Sequence, residues 1–280
     1  MKNKIIFILI SLGAFITVYP VCFLLVGSFM HPAELSGNLA PVILQGSADF
    51  VKWPLLPEVP TLRSYIKVIF ETPEFFVVFW NSVKIAAGAV LGQLVFGVPA
   101  AWGFAKYSFR YKNALFMCYI ILMMLPFQAI MLSEYLVLSN LRLLDSLWAI
   151  ILPGVFSTFP VFVLYNFFSE IPDSIVEAAR IDGLSELGIF LKVGIPLGKT
   201  GIVAALVLQF LEYWNLVEQP MTFIESKNLW PLTLYLPEIS IENAGQAFVA
   251  SVISLVPTML IFILTRNHLE KGIVASAVKE

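Results

Sequence analysis

Charge is what this chain has least of. Aspartate, glutamate, lysine and arginine make up 13% of its 280 residues, about half the share in an ordinary soluble domain. Nineteen acidic groups against seventeen basic ones leave a formal net charge of −2, so no basic field gathers nucleic acid. Histidine is almost missing: His31 and His268 are expected at opposite faces of the membrane, where they supply neither a zinc cluster nor a Ser-His-Asp relay. Cysteine is confined to Cys22 and Cys118, each inside an apolar run. That pattern excludes a secreted disulfide scaffold and reads as small membrane-core residues. Ten-residue segments of alternating hydrophobicity are absent too, which argues against an outer-membrane barrel.

Apolar residues take up the difference. They are 59% of the chain, with 24 Phe and a mean hydropathy of +0.87. A soluble protein of this size has no core large enough to hide that surface. The expectation is an all-α membrane protein in which each span needs about 20 apolar residues. Six runs qualify: residues 5–30, 75–104, 114–132, 147–168, 201–221 and 247–265. The second is over-long for a straight crossing. The first follows Lys2 and Lys4 but exceeds a signal-peptide core, and no A-x-A-like site follows it. Tyr19-Pro20-Val21 before Cys22 lacks the small residues of a lipoprotein site, so the run is expected to stay as a span.

Lysine and arginine set the orientation. With the N-terminus inside, the inner segments carry eleven: Lys2, Lys4, Lys106, Arg110, Lys112, Arg180, Lys192, Lys199, Arg266, Lys271 and Lys279. The outer segments carry five: Lys52, Arg63, Lys67, Arg142 and Lys227. Both termini are therefore expected to be cytoplasmic. An outer segment, residues 31–74, holds six prolines and is expected to form a folded cap with a short helix starting at Thr61 as N-cap. An inner segment spans residues 169–200.

That inner segment is the most informative stretch. Pro172 ends what precedes it. Ser174 with Glu177 spells a capping box, and Gly183 suits a left-handed helix end. A two-turn helix follows from this frame, then a second short helix over residues 186–192, with Pro196 closing the element. Ala178 and Ala179 would give the first helix a smooth patch flanked by Glu177, Arg180 and Asp182. A partner surface can approach such a patch closely, and the charges fix its register. A plain interfacial linker is the alternative on physics alone.

Glu177-Ala178-Ala179, Gly183 and Val193-Gly194-Ile195-Pro196 resemble the cytoplasmic signature of binding-protein-dependent ABC importer permeases. Val193 and Ile195 depart mildly from the usual Ile and Leu. Arg180-Ile181-Asp182-Gly183 is similar to the carbohydrate branch, the maltose type of second permease. Asn81-Ser82, Trp214-Asn215 and the tail 271–279, with Ser276 where the family has Gly, extend the likeness along the chain. The resemblance implies a type I importer permease fold in a bacterial plasma membrane, one permease domain over 1–280, and a non-catalytic subunit without cofactor. It implies a second homologous permease, two ABC ATPase subunits and an extracytoplasmic solute-binding protein as partners. It implies that Glu177, Ala178, Ala179, Arg180, Asp182 and Gly183 form the coupling contact with an ATPase, and that the tail from Gly272 is a second contact. Trp214-Asn215 continues as Leu216-Val217-Glu218 instead of the usual Asp and aromatic, a departure that suits a different solute. A non-sugar importer of the same fold (polyol phosphate or peptide) and a secondary transporter are the alternatives. The latter calls for inverted repeats, and none is seen.

Gly194 to Thr200 mimics a Walker A loop but has three residues between the glycines where four are needed, and Pro196 interrupts it. No ATP site or metal site is expected in this chain. Polar groups within spans mark a solute path: Gln128, Glu134, Glu212, Trp214 and Asn215 are the candidates, since sugars take aromatic faces and hydroxyl-saturating side chains. Lys84 is read as a partner of Glu212 or as snorkelling. Gly88 and Gly92 form a small-xxx-small pair for close helix packing. Pro126, Pro153 and Pro160 are candidate kinks.

Overall fold

A computed structural model describes residues 2–43, 54, 56–236 and 243–277. All regular structure among them is helical. Five helices are long and apolar enough to cross a membrane: Ile6–Gly27, Pro73–Lys106, Trp148–Ser169, Glu186–Trp214 and Ala244–Arg266. The pair Lys112–Met124 and Phe127–Asn140 makes a sixth crossing if counted as one span.

The helices, in chain order, are α1 (Lys2–Gly27), α2 (Pro32–Ile43), α3 (Arg63–Ile66), α4 (Pro73–Gly92), α5 (Val98–Lys106), α6 (Lys112–Met124) and α7 (Phe127–Asn140). They continue as α8 (Trp148–Val155), α9 (Thr158–Ser169), α10 (Asp173–Ile181), α11 (Glu186–Ile189), α12 (Ile195–Trp214), α13 (Glu218–Phe223), α14 (Leu232–Tyr235) and α15 (Ala244–Ala277). The chain divides into two compact units, Met1–Phe79 with Leu234–Pro257, and Trp80–Thr233 with Thr258–Glu280.

Prolines and polar side chains shape the spans. The span expected over 114–132, with Pro126 as a candidate kink, is broken there, with α6 and α7 bent by 108°. Leu125 is extended (φ −75, ψ 126), as the residue before a proline is pushed to be. Pro126 continues the extended turn before α7 begins. The fifth span is also corrected. It does not start at 201, and Pro196 does not close the element before it. Helix runs on from Glu186 to Trp214 through a π-turn at Phe190–Gly194. Ile195 donates its N–H to the Phe190 carbonyl five residues back. Pro196, which has no N–H to give, stands just after this change of register. The second span repeats the device: a π-turn at Gln93–Gly97 ends with Val98 bonded to the Gln93 carbonyl, and Pro99 follows. Each over-long span thus absorbs a proline through one extra residue in a turn.

The fourth span breaks at Phe156–Ser157, between Pro153 and Pro160. Two buried glutamines reach the carbonyls at this break. Gln93 donates from Nε2 to the Ser157 oxygen at 2.6 Å, and Gln209 to the Gly154 oxygen at 2.9 Å. Membrane helices tolerate such breaks when neighbouring side chains satisfy the freed backbone. Gly88 meets the same span: a Cβ there would lie 2.9 Å from Ile151 Cγ2, and one on Gly92 would overlap Val155. The small-residue pair therefore lets α4 pack on α8.

The core of the larger unit sits where α5, α9 and α12 meet. Trp102, Leu164, Phe168, Ile171, Ile189 and Ala205 are buried there. Trp102 stands edge-on to Phe168 at 5.3 Å, and Gly194 makes room for its ring. In the other unit, Phe23 packs edge-on to Phe248, and Met30 and Leu35 are fully buried. The segment expected outside is helical over α2 and α3; α3 starts at Arg63 with Leu62, not Thr61, in the cap position, and the Thr61 hydroxyl accepts the Arg63 N–H at 3.2 Å. Residues 44–53 and 55 of that segment, and 278–280 of the tail, lie outside the described residues.

Candidate functional site

The segment between the fourth and fifth spans folds as a short helix hung from a membrane core. Helix α10 begins at Asp173, with Pro172 in the cap position and no side-chain cap. Ser174 is inside the helix, so the expected capping box does not form. A different group does the work of starting it: the Asp173 carboxylate lies in the first turn, where a negative charge suits the helix dipole, and Lys106 holds it at 2.7 Å. The C-terminus ends as its glycine predicts. Gly183 adopts φ +84. Its N–H bonds the Arg180 carbonyl, and the Leu184 N–H bonds the Ala179 carbonyl, both at 3.1 Å. That double closure is a Schellman turn. Ser185 then caps α11, accepting from the Gly188 N–H at 3.2 Å.

Helix α10 has two faces. Val176 and Ala179 are buried in the core at the foot of α5, α9 and α12. Glu177, Ala178, Arg180, Ile181, Asp182 and Gly183 are exposed. The smooth patch expected of Ala178 and Ala179 together is thereby split, because consecutive residues on a helix point about 100° apart. The exposed face is nonetheless apolar in places. Ile181 is 86% exposed and Leu187 66%, an unusual position for large aliphatic side chains on a polar loop.

Three residues that sequence reasoning left without a role fasten this loop. Lys106, at the end of α5, donates to the Ile171 carbonyl as well as to Asp173; its side chain is only 4% exposed. The next residue, Tyr107, donates its hydroxyl to Glu186 Oε2 at 2.8 Å. Glu186 also receives Arg180 through Nε at 2.8 Å and Nη2 at 3.1 Å. The Lys106 ammonium holds the Asp173 carboxyl below its ordinary range. Arg180, and then Tyr107, do the same for Glu186. Burial, and then the bond to Glu186, push the Tyr107 phenol up. The only sequence signal for these contacts is that Lys106 and Tyr107 end an apolar run.

Residues expected along a solute path are brought together in part. Gln128 on α7 donates to Glu218 on α13 at 2.7 Å. Glu134 is half-buried with its Oε2 unpartnered. Buried Tyr213 lies within electrostatic reach of both Glu134 and Glu212. Glu212 is exposed and stands two residues before the end of α12. Trp214 is 3% exposed and stacks on Phe210 at 5.5 Å, so it packs the helix end. Asn215 caps α12 and bonds the Leu211 carbonyl at 2.8 Å. Lys84 and Glu212 are both exposed and no ion pair joins them, which corrects the expected pairing.

Asn81 and Ser82 have a visible task. Asn81 donates to the carbonyls of Asn228 and Trp230 at 2.8 and 3.1 Å. Ser82 accepts the Leu232 N–H at 2.8 Å. Together they pin the segment that follows α13. The Walker-like stretch from Gly194 to Thr200 is helical, so its amide groups belong to the helix ladder and cannot cradle a phosphate.

Comparison with known proteins places these features in context. The family model described as "Binding-protein-dependent transport system inner membrane component" matches residues 93–274. The chain is 29% identical over 269 residues to the arabinooligosaccharides transport system permease protein AraQ of Halalkalibacterium halodurans, covering 95% of this chain and 92% of that one. It is 26% identical over 270 residues to the lactose transport system permease protein LacG of Rhizobium radiobacter, covering 95% and 93%. A chain from the crystal structure of a bacterial ABC transporter that imports the acidic polysaccharide alginate superposes with a TM-score of 0.79. That match covers 95% of each chain at 22% identity.

Proposed function

Because the chain belongs to the family of inner membrane components of binding-protein-dependent transport systems, we propose that it is one permease of an ATP-driven importer of carbohydrate. It is a multi-pass helical membrane protein of the ABC importer permease fold. The carbohydrate class rests on relatives named for arabino-oligosaccharides and lactose, each matched along more than nine-tenths of its length. A second permease, a pair of ATPases and an extracytoplasmic binding protein complete the machine. ATP is hydrolysed on the ATPase pair, not on this chain. The eleven-to-five bias of Lys and Arg supports an orientation with both termini and α10 inside.

One observation carries the coupling role. Helix α10 buries Val176 and Ala179 in the membrane core while holding Glu177, Ala178, Ile181 and Asp182 outward. An element rooted in one body and presenting apolar and charged groups to another is built to pass a displacement between them. Glu177, Ala178, Arg180, Asp182 and Gly183 are the proposed ATPase contacts, with Ile181 and Leu187 as apolar anchors. Ala179 serves from the inner side. Glu134, Glu212 and the Gln128–Glu218 pair are the proposed polar wall of the solute path. Trp214 and Asn215 support that wall from behind.

The test is reconstitution of the complete transporter in liposomes. Labelled arabino-oligosaccharide and lactose are offered in parallel with glycerol 3-phosphate and a tripeptide. ATP-dependent uptake of a saccharide supports the reading. Uptake of only the phosphate or the peptide would reassign the solute, and uptake driven by an ion gradient without ATPase subunits would overturn the function itself.

A further inference from the structure

Helix α10 is tied to the transmembrane bundle at two separate places, and the ties converge on one short segment, Lys106-Tyr107. The first is buried. The Lys106 ammonium is enclosed with the Ile171 carbonyl and the Asp173 carboxylate as its partners. A desolvated charge of this kind is costly to strip of its acceptor. The second is half exposed. The Glu186 carboxylate takes three hydrogen bonds, one from Tyr107 at the foot of the second span and two from Arg180 on α10. Glu186 itself opens the continuous helix that becomes the fifth span.

Isolated surface ion pairs carry little weight, but this arrangement is not an isolated pair. One carboxylate joins the polar sides of three elements whose apolar sides meet in the core: the end of α5, the coupling helix, and the head of the fifth span. The bidentate hold of a guanidinium on a carboxylate fixes orientation as well as distance. Between α10 and α11 lies the Gly183 turn, where the glycine stands in open surroundings and Leu184 packs inward on the core. The carboxylate bridges that turn.

We propose, building on the importer reading above, that Glu186 is a positioning residue which makes α10, the α5 terminus and the head of the fifth span move as one body, so that a push on the coupling helix reaches both spans together. Lys106 with Asp173 secures the other end of α10. Loss of the Glu186 bridge would leave α10 held by the Lys106 tie and by Val176 and Ala179 in the core, and would free its Arg180 end to shift.

Spin labels on Ser174→Cys and Leu191→Cys, in a background with Cys22→Ser and Cys118→Ser, report the relation of α10 to the head of the fifth span. Both labelled positions are exposed. The complete transporter is measured without nucleotide and trapped with ATP and vanadate. With Glu186 present, the distance distribution stays the same in the two states. With Glu186→Ala it broadens or shifts, and uptake per ATP hydrolysed falls about five-fold or more, the low end of what coupled sites support. Tyr107→Phe and Arg180→Ala weaken coupling in the same direction, and Glu186→Gln falls between. A distance that changes between states in the parent protein overturns the one-body proposal, as does Glu186→Ala with unchanged distance and unchanged uptake per ATP in assembled complexes. If the parent chain forms no complex with an ATPase, the importer reading falls first and takes this inference with it.

Discussion

Gln209 donates its side-chain amide to the carbonyl oxygen of Gly154 at 2.9 Å, across the packing of the fifth span on the fourth. Both groups are buried within the larger unit. The bond sits at the point where the fourth span loses its regular ladder, on the residue that follows Pro153. The amide oxygen of Gln209 has no partner, so the side chain serves by donation.

Replacing Gln209 by Leu keeps the volume and removes the donor. Side-chain hydrogen bonds inside membranes contribute about 0.6–2 kcal/mol, and the substitution also removes an unpaired acceptor. A loss of stability of about 1 kcal/mol is expected. Gly154→Val is expected to cost more, because a Cβ there would already lie 2.7 Å from the Tyr213 ring and 2.8 Å from Ala89. Overpacking of this kind costs about 1–3 kcal/mol or more. Thermal unfolding in mild detergent should rank the two variants in that order; the reverse order would show that Gln209 carries the fold.

Gly183→Ala tests the helix end by strain alone. Nothing lies within 4 Å of an added Cβ, yet the backbone sits at φ +84. A left-handed L-residue costs roughly 1–2 kcal/mol. Reduced ATP-driven uptake with normal membrane insertion is expected, and Gly183→Asn should be milder, since Asn tolerates this region. Equal activity of the Ala variant and the parent would remove the turn from the coupling path.

Asp145 locks the turn between α7 and α8. It sits at φ +54 and accepts from the N–H groups of Glu225 and Ser226 at 3.1 and 2.8 Å and from the Ser226 hydroxyl at 2.6 Å. Those bonds, the Ser226 hydroxyl first, hold its carboxyl below the ordinary range. Asp145→Ala should speed amide exchange at Glu225 and Ser226 by at least ten-fold, equivalent to about 1.4 kcal/mol of local opening. Asp145→Asn should recover part of the protection.

The fastening of the loop that carries α10 has a defined pH window. Asp173 and Glu186 are held below ordinary carboxyl values, so their contributions are complete above the unfolded value near 4 and fade as pH falls through the lower folded values. Tyr107 is shifted up, so its contribution is complete below the unfolded value near 10 and fades as pH rises through the higher folded value. Amide-exchange protection of α10 should therefore stay flat between about pH 5 and 9. It should drop outside that window, with the acid limb absent in Asp173→Asn, Glu186→Gln. A step near pH 6.5 would point to a group other than these three.

What the sequence determined alone was whatever depends on composition and on neighbours along the chain. Scarce charge and long apolar runs dictated a helical membrane protein. Pro172 and Gly183 framed the short helix α10, since a helix end and its glycine are local matters and Gly183 does take the left-handed conformation. Tertiary structure decided everything that joins distant residues. The prolines at 126 and 196 look alike in sequence, but one breaks a span and the other is carried through by a π-turn. Trp214 read as a solute contact and proved to be packed on Phe210. Glu186 drew no role from the sequence and proved to be the acceptor shared by Tyr107 and Arg180. Hydrogen bonds across 79 or 55 residues of chain leave no periodic trace, because they depend on which faces meet after the spans have packed.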